Sequence, residues 1–536
     1  MTAARLALIF ACALHLVLGS WAAWRDTPTI DEFAHVPAGL VYWKHGRFDL
    51  YAKNPPLIKL WLTWPTLVLK PSVPEPEGPA LGWGPWIYGS QFERANQDRY
   101  FEVFILARLM NLVLSLSAGL LVFFWARRTL GNEWAGAISA SGLLLSPTIL
   151  AHAHLATVDV GAMVSILAFC FFLDVSKKRM SAGRYAVAGA LLGLALGAKF
   201  TGVFLLPLFL LFACLQKKRA ALWGTPLALL TALLVLNSSY GFRSTLEPLP
   251  KLQAKTTQFF AKVVPDFLLI PLPRDFLVGF DAQTLDTEQG EFGSYLLGQW
   301  SNEGWWYYNF AAFLLKETPL LIALLLIAFP IALARTSERN LLLPFLAPIF
   351  FIGVPLSIMN KLQIGVRYLL PLFPFLFLLV GFTAYALKAR PRACAACIAT
   401  WGFVALLAAP NFITYFNAPA LAFKNKIDLL LDSNLDWGQD LYRLKNINRE
   451  TNGAPIGLVY FGHVSPELYG IRYQLVPPHP VKGLLAVSAN FLMGYPYVAP
   501  APDGTFVQIS PDHLRWLRPL TPTRELGSIL IFDTRQ

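Results

Sequence analysis

Two neighbouring carboxylates, Asp31 and Glu32, follow closely on the first long apolar stretch of this chain, and His35 comes one helical turn after Asp31. Thr29 is a helix-capping residue by type, so both acids fall in the first turn, where the helix dipole favours anions, and Asp31 shares a face with His35. A carboxylate held there can take a proton from a hydroxyl or an amine. Acids also occupy helix starts for capping alone, and these residues by themselves leave both readings open. His152, His154 and Asp159 form a second group of acid and imidazole. Lys53, Lys59, Arg108, Lys199 and Arg367 lie near the ends of apolar stretches, where basic side chains either snorkel or hold an anion. Lys316 and Glu317 fall inside an apolar stretch and need partners or a cavity. Asp432, Asp436 and Asp440 recur every fourth residue within DSNLDWGQD, which predicts a helix over about 435–446 with the acids on one face. Such a face can mimic a calcium site, although capping and solvation explain it without a ligand. Trp437 and Gln439 can meet a sugar or the rest of the protein.

The elements that must position these residues are mostly membrane spans. The 536 residues are 55% hydrophobic and 14% charged, with mean hydropathy +0.50, which is the composition of a chain whose solvent is lipid. Apolar runs predict about eleven transmembrane helices, near 6–24, 103–125, 134–151, 158–175, 184–198, 200–216, 221–238, 310–334, 341–358, 366–387 and 394–416. Alternate connections carry the basic residues: Arg127 and Arg128; Lys177, Lys178, Arg179 and Arg184; Lys217, Lys218 and Arg219; Arg335 and Arg339; Lys388, Arg390 and Arg392. That asymmetry predicts a cytoplasmic N-terminus and an exterior C-terminus. It also accounts for much of the net charge of +12, together with attraction to anionic membrane lipids, so nucleic acid is not an expected partner. Residues 1–24 also have the make-up of a signal peptide, but their apolar stretch is long enough to span.

The exterior material has three parts. Residues 25–102 hold two short helical stretches, near 31–45 and 57–70, expected along the membrane surface. Residues 239–309 end in the aromatic run Trp305 to Tyr308, as at a membrane interface. The tail, 417–536, has strand-like runs at Ile456 to Phe461, Leu484 to Val487 and Ser528 to Phe532, which predict a small α/β domain after a membrane domain of residues 1–416. The five cysteines all fall in predicted spans, so the exterior has no disulfide framework, and Cys394-x-x-Cys397 is expected to pack rather than bind metal.

With that topology, Asp31-Glu32 followed by KNPPLIK at 53–59 resembles the first exterior loop of the GT-C glycosyltransferases related to protein O-mannosyltransferases and to the aminoarabinose transferase of lipid A. AHAHLATVD at 151–159, AKFTG at 198–202, WWYYNFAAFLLKETP at 305–319 and IGVRYLLP at 364–371 follow in the same order, and DSNLDWGQD looks like a stretch of bacterial members. The resemblance implies a membrane enzyme of the bacterial inner (plasma) membrane that moves a sugar from a polyprenyl-phosphate donor to a protein, lipid or glycan acceptor. It implies Asp31, Glu32 and Asp159 as catalytic acids, with Asp31 as base in a direct, inverting displacement. His35, Lys53, Lys59, Arg108, Lys199, Lys316 and Arg367 are then expected at the substrate and its phosphate. A divalent cation on Asp31, Glu32, His154 and Asp159 is chemically reasonable, and the resemblance leaves metal dependence open. A transporter or a flippase for lipid-linked glycans is the alternative, but no internal repeat with paired broken helices supports it.

Overall fold

The computed structural model describes residues 2–77, 84–216, 219–265, 267–290, 292–334, 339–386 and 390–535. Lys217, Lys218, Arg335 and Lys388 of the predicted basic connections lie outside the described residues. Among the described residues eighteen α-helices precede the tail: α1 (Ala3–Arg25), α2 (Ile30–His45), α3 (Leu57–Thr63), α4 (Gly84–Ala95), α5 (Tyr100–Leu130), α6 (Glu133–Leu145), α7 (Pro147–Ala153), α8 (Asp159–Ser176), α9 (Ala182–Ala198), α10 (Leu205–Leu215), α11 (Arg219–Ser239), α12 (Lys255–Ala261), α13 (Arg274–Gln289), α14 (Tyr308–Lys316), α15 (Pro319–Ala334), α16 (Arg339–Ile358), α17 (Phe373–Ala386) and α18 (Pro391–Ala408). Each of the eleven predicted spans corresponds to an apolar helical element. Six are straight helices long and apolar enough to cross a bilayer, two are bent pairs, and the stretches at 182–198, 200–215 and 342–358 are shorter. The chain is an integral membrane protein of mainly α structure.

Prolines explain both bent pairs. Helices α6 and α7 turn by 59° at Ser146, and α14 and α15 by 117° at Glu317 and Thr318. Pro147 and Pro319 open the second helix of each pair, and a residue before proline is driven out of the helical region. Ser146 is accordingly extended and caps Ile149, while Thr318 accepts from the Leu321 amide. The two breaks are stitched together, because the Ser146 hydroxyl donates to Glu317 Oε1 at 2.8 Å. The expectation of one continuous span at 310–334 is therefore corrected, and Lys316 and Glu317 mark its break.

Small residues let the bundle close. Every residue of α6 from Ala135 to Leu145 is buried, with α1, α5, α17 and α18 packed around it. Gly189 and Gly193, four apart on α9, face Ala228 and Ala232 on α11; a Cβ at Gly189 would lie 2.1 Å from the Ala228 carbonyl oxygen. Without a hydrophobic drive between helices in lipid, this close approach supplies the dispersion contacts.

Helices α2 and α3 occupy the predicted short helical stretches, but α2 is not a surface helix. Twelve of its sixteen residues are buried against α3, α4 and the tail, so its apolar residues meet protein instead of headgroups. The tail contains β1 (Ile456–Val459), β2 (Tyr473–Leu475), β3 (Leu484–Ser488), β4 (Arg524–Leu526) and β5 (Ile529–Asp533) in one sheet of order β4-β5-β3-β1-β2. Strands β1, β2 and β3 are parallel, and β4 and β5 add antiparallel at one edge. The three runs read as strands in the sequence form its centre. Residues 435–446 are not a helix: Asp432–Asn434 and Leu441–Leu444 are separate 3-10 turns, and Asp432 and Gly438 adopt φ values of 55° and 89°. Left-handed backbone ends a helical pattern whatever the side-chain spacing.

Candidate active site

A cavity of about 160 Å³ lies between one end of the helix bundle and the tail. Asp31 on α2, Asp159 at the start of α8, Lys199 after α9 and Arg367 before α17 line it, with Lys53 and Asp286 at one side. Trp86, Asp432, Trp437, Phe461, Tyr495 and Tyr497 complete the wall.

Each cation in this cavity has an acid partner. Arg367 donates through Nη1 to Asp31 Oδ2. Lys199 Nζ donates to Asp159 Oδ1 at 2.5 Å, and Lys53 Nζ to Asp286 Oδ2 at 2.7 Å. Arg367 also lies with its guanidinium 4.4 Å from the Trp437 ring centre, and both Arg367 and Lys199 approach the ring of Tyr368. The arrangement is a set of matched charges of which an incoming anion can take the cationic members, leaving the carboxylates free.

Glu32 points the other way. Arg108 clasps it with two bonds of 2.7 Å, Nε to Oε1 and Nη2 to Oε2, and both side chains are buried. Glu32 also accepts from the Thr29 and Ala156 amides, and Arg108 spends its remaining hydrogens on the carbonyls of Ala23, Asp26 and Thr27. Burial acts to raise the Glu32 pKa, but Arg108 and these amides outweigh it and hold the acid below the usual carboxylate range. The pair ties the start of α2 to α1, α5 and the α7–α8 connection, with Arg108 turned from the cavity that would hold a phosphate.

The other sequence-expected residues are dispersed. Lys59 is buried and donates to the carbonyls of Tyr51 and Asn54 at 2.9 and 2.7 Å, bracing the loop that carries Lys53. Lys316 reaches the carbonyls of Ile413 and Asn434 at 2.8 and 2.6 Å, tying α14 to the tail. His35 is buried against Tyr51, and burial lowers its pKa to about 4, so it is neutral beside the acids. His154 directs Nε2 to Asp26 Oδ2 at 3.0 Å and Nδ1 to the Leu150 carbonyl. The four side chains considered for a divalent cation, Asp31, Glu32, His154 and Asp159, thus have separate partners, and no group of three or more His, Cys, Asp or Glu forms a metal site among the described residues. The acids of the tail motif likewise have donors of the protein: Asp432 accepts from Tyr495, Asp436 from the Ser528 hydroxyl, and Asp440 from Gln439, the Ser528 amide and Arg443.

Sequence reasoning missed the reach of the 432–442 loop. Its backbone accepts from the amides of Thr27 and Ile30, on both sides of the α2 start, through Gln439 and Trp437. Ser433 donates to the Ile364 carbonyl at 2.7 Å, and the Asn434 side chain accepts from the Val366 amide at 2.9 Å. One loop therefore grips both segments that carry the Asp31–Arg367 pair. The aromatic residues of the wall come from positions far apart in the chain, and only Trp437 gave a signal through its motif.

Residues 101–239 match the family model of dolichyl-phosphate-mannose-protein mannosyltransferases, which bears out the resemblance drawn from the motifs. Among solved structures, the chain is similar to apo ArnT from Cupriavidus metallidurans at 15% identity, covering 99% of this chain and 98% of that one with a TM-score of 0.47. The same protein bound to undecaprenyl phosphate aligns at 13% identity over 98% and 97%, TM-score 0.44. The Archaeoglobus fulgidus oligosaccharyltransferase, crystallised with Zn and sulfate, aligns at 11% identity over 96% and 74%, TM-score 0.43. No curated protein matches the sequence significantly.

Proposed function

We propose, from a chain whose residues 101–239 carry the pattern of the dolichyl-phosphate-mannose-protein mannosyltransferases, that this protein is a membrane glycosyltransferase. It transfers a sugar from a polyprenyl-phosphate donor to a protein, lipid or glycan acceptor at the exterior face of a bacterial inner membrane. The observation that carries this reading is the meeting of Asp31, Asp159, Lys199 and Arg367 in one cavity at one end of the membrane bundle.

In this scheme the donor phosphate competes with Asp31 for Arg367 and with Asp159 for Lys199. Binding then frees Asp31 as a proton acceptor at the place where the acceptor hydroxyl arrives. The hydroxyl proton passes to Asp31 as the acceptor oxygen bonds to the anomeric carbon. The bond from that carbon to the phosphate oxygen breaks, and its electron pair leaves on the phosphate beside Arg367 and Lys199. A single displacement inverts the anomeric centre. Glu32 and Arg108 serve as positioning residues that fix the first turn of α2. Trp437, Tyr495 and Tyr497 offer ring surfaces to a sugar from the tail side.

The test uses purified protein in lipid nanodiscs with a panel of undecaprenyl-phosphate hexoses and pentoses, following release of undecaprenyl phosphate. Donor consumption is expected for the native chain, with a fall of about 10²- to 10⁴-fold for Asp31→Asn at unchanged fold. Failure of every donor, or full turnover in Asp31→Asn, overturns the assignment. The orientation is tested separately: a cysteine at Ser181 should react with an impermeant reagent only after cells are opened.

A further inference from the structure

At the opposite end of the bundle a larger cleft, about 910 Å³, opens between α8, α10 and α16. Helix α8 measures the separation. Asp159 begins it at the active-site cavity and Ser176 ends it at the cleft, and 18 residues rise roughly 27 Å, close to the thickness of the hydrocarbon core. The cleft has two parts. Its inner wall is apolar, with Leu208, Leu211, Phe212, Leu343, Pro344 and Ala347. Its rim carries Arg128, Lys177, Lys178, Arg179 and Arg184, and among the described residues Asp174 is the acid that lines it.

That acid is already engaged. Lys177 donates to Asp174 Oδ1 at 2.7 Å and the Trp125 indole to Oδ2 at 2.9 Å. Arg128, Lys178, Arg179 and Arg184 have no acidic partner among the described residues. Basic residues at a cytoplasmic connection need no cleft to set topology. Arg390 and Arg392 on the same side serve that purpose by the same rule and line none of the described cavities. Arg184 donates through Nη1 to the Arg179 carbonyl at 2.6 Å, and what distinguishes the Arg128–Arg184 rim is a cluster of cations without acidic partners among the described residues, set over an apolar slot.

We propose that this cleft is a binding site for an anionic phospholipid, its headgroup phosphate held by Arg128, Lys178 and Arg184 and one acyl chain lying along α10 and α16. Charge selects the headgroup, since basic pockets between spans on the cytoplasmic side attract anionic lipid, and the depth of the slot selects a lipid over a free anion. The site is separate from the proposed chemistry and stands whether or not the chain transfers sugars.

The experiment is native mass spectrometry and thermal unfolding of the full chain in detergent, with added phosphatidylglycerol, phosphatidylcholine or inorganic phosphate. Phosphatidylglycerol should bind and raise the melting temperature, and phosphatidylcholine and phosphate should do neither. A cation near an anionic surface contributes about 1 kcal/mol, or roughly fivefold in affinity. The triple variant Arg128→Gln, Lys178→Gln, Arg184→Gln should therefore weaken phosphatidylglycerol binding at least tenfold, whereas Arg390→Gln with Arg392→Gln should leave it unchanged. Leu211→Trp, which fills the slot but keeps every charge, should also reduce binding. Equal binding of phosphatidylcholine, equal stabilisation by phosphate, or equal losses in the two sets of charge variants would each overturn the site. A triple variant that does not fold leaves Leu211→Trp to decide, and unchanged lipid binding there refutes the proposal.

Discussion

Trp437 lays its ring 4.4 Å from the guanidinium of Arg367, the side chain that pairs with Asp31. A residue of the tail thus backs the cation that donates to the acid on α2. The same loop bonds to the amides of Thr27 and Ile30 on the Asp31 side and to the 364–366 backbone on the Arg367 side. Both arms of the pair are anchored to one piece of chain, so their separation is set by the tail.

This relationship predicts what Trp437→Leu does. A desolvated cation–π contact contributes about 2 kcal/mol, so losing it should reduce donor turnover by roughly 30-fold while Trp437→Phe retains an intermediate rate. Steady-state kinetics with the donor varied separates positioning from mere loss of folding. Equal rates for the Phe and Leu variants would mean that the ring face is irrelevant.

Much of the architecture was legible because lipid imposes simple rules. The eleven apolar stretches and the three central strands of the tail followed from local composition. The break at 317–318 was hidden because the apolar runs on both sides of Lys316, Glu317 and Thr318 are together long enough to read as one span, although the two charges and Pro319 mark it. Spacing suggested a helix for Asp432, Asp436 and Asp440, but Gly438 permits a left-handed turn that local spacing does not reveal. In the site, Asp31 and Glu32 were found as a pair yet face different partners. Which acid meets Arg108 and which meets Arg367 depends on contacts 76 and 336 residues apart, information absent from the motif itself.

Glu32 and Arg108 carry a stability prediction. Removing one partner of a buried ion pair leaves the other uncompensated, at a cost of about 3–5 kcal/mol. Glu32→Ala should lower the melting temperature markedly, and adding Arg108→Met to it should recover part of the loss. Because the folded pKa of Glu32 is depressed, its contribution is present above its unfolded value and is lost only as pH falls below that range. Unfolding curves of native and variant chains should therefore converge in acid and diverge at neutral pH. A melting temperature unchanged by Glu32→Ala at pH 7 contradicts the pairing.

The tail should respond to pH in the opposite sense. Burial raises Asp436 to about 7 and Asp432 to about 6, against hydrogen bonds from Ser528 and Tyr495 that favour ionisation. Folded values above unfolded ones mean that the stabilising contribution is full below the unfolded pKa and is lost as pH rises through the folded value. Between pH 5 and 8 the tail should lose stability, and Asp436→Asn should flatten that loss. Tryptophan fluorescence during thermal unfolding follows it. Parallel curves for the native chain and Asp436→Asn would rule out Asp436 as the group that titrates.

The cations make the sharpest distinction between the sequence and the structure. By position alone, Lys59, Arg108 and Arg367 are equivalent phosphate ligands, yet only Arg367 lines the cavity, and Lys199 lines it with an acid at hand. Lys59 is buried and satisfied by two carbonyls. A charged hydrogen bond to phosphate contributes about 1.5–3 kcal/mol, so Arg367→Ala and Lys199→Ala should each weaken donor binding by roughly 10- to 100-fold. Lys59→Met should leave donor affinity within about twofold, since that cation does not reach the ligand, although bracing of the 51–54 loop is lost and the melting temperature should fall. Binding of undecaprenyl phosphate to each variant in nanodiscs measures this without requiring turnover. If Lys59→Met loses the lipid while Arg367→Ala and Lys199→Ala keep it, the phosphate sits beneath α3 and the cavity beside Asp31 is not the donor site.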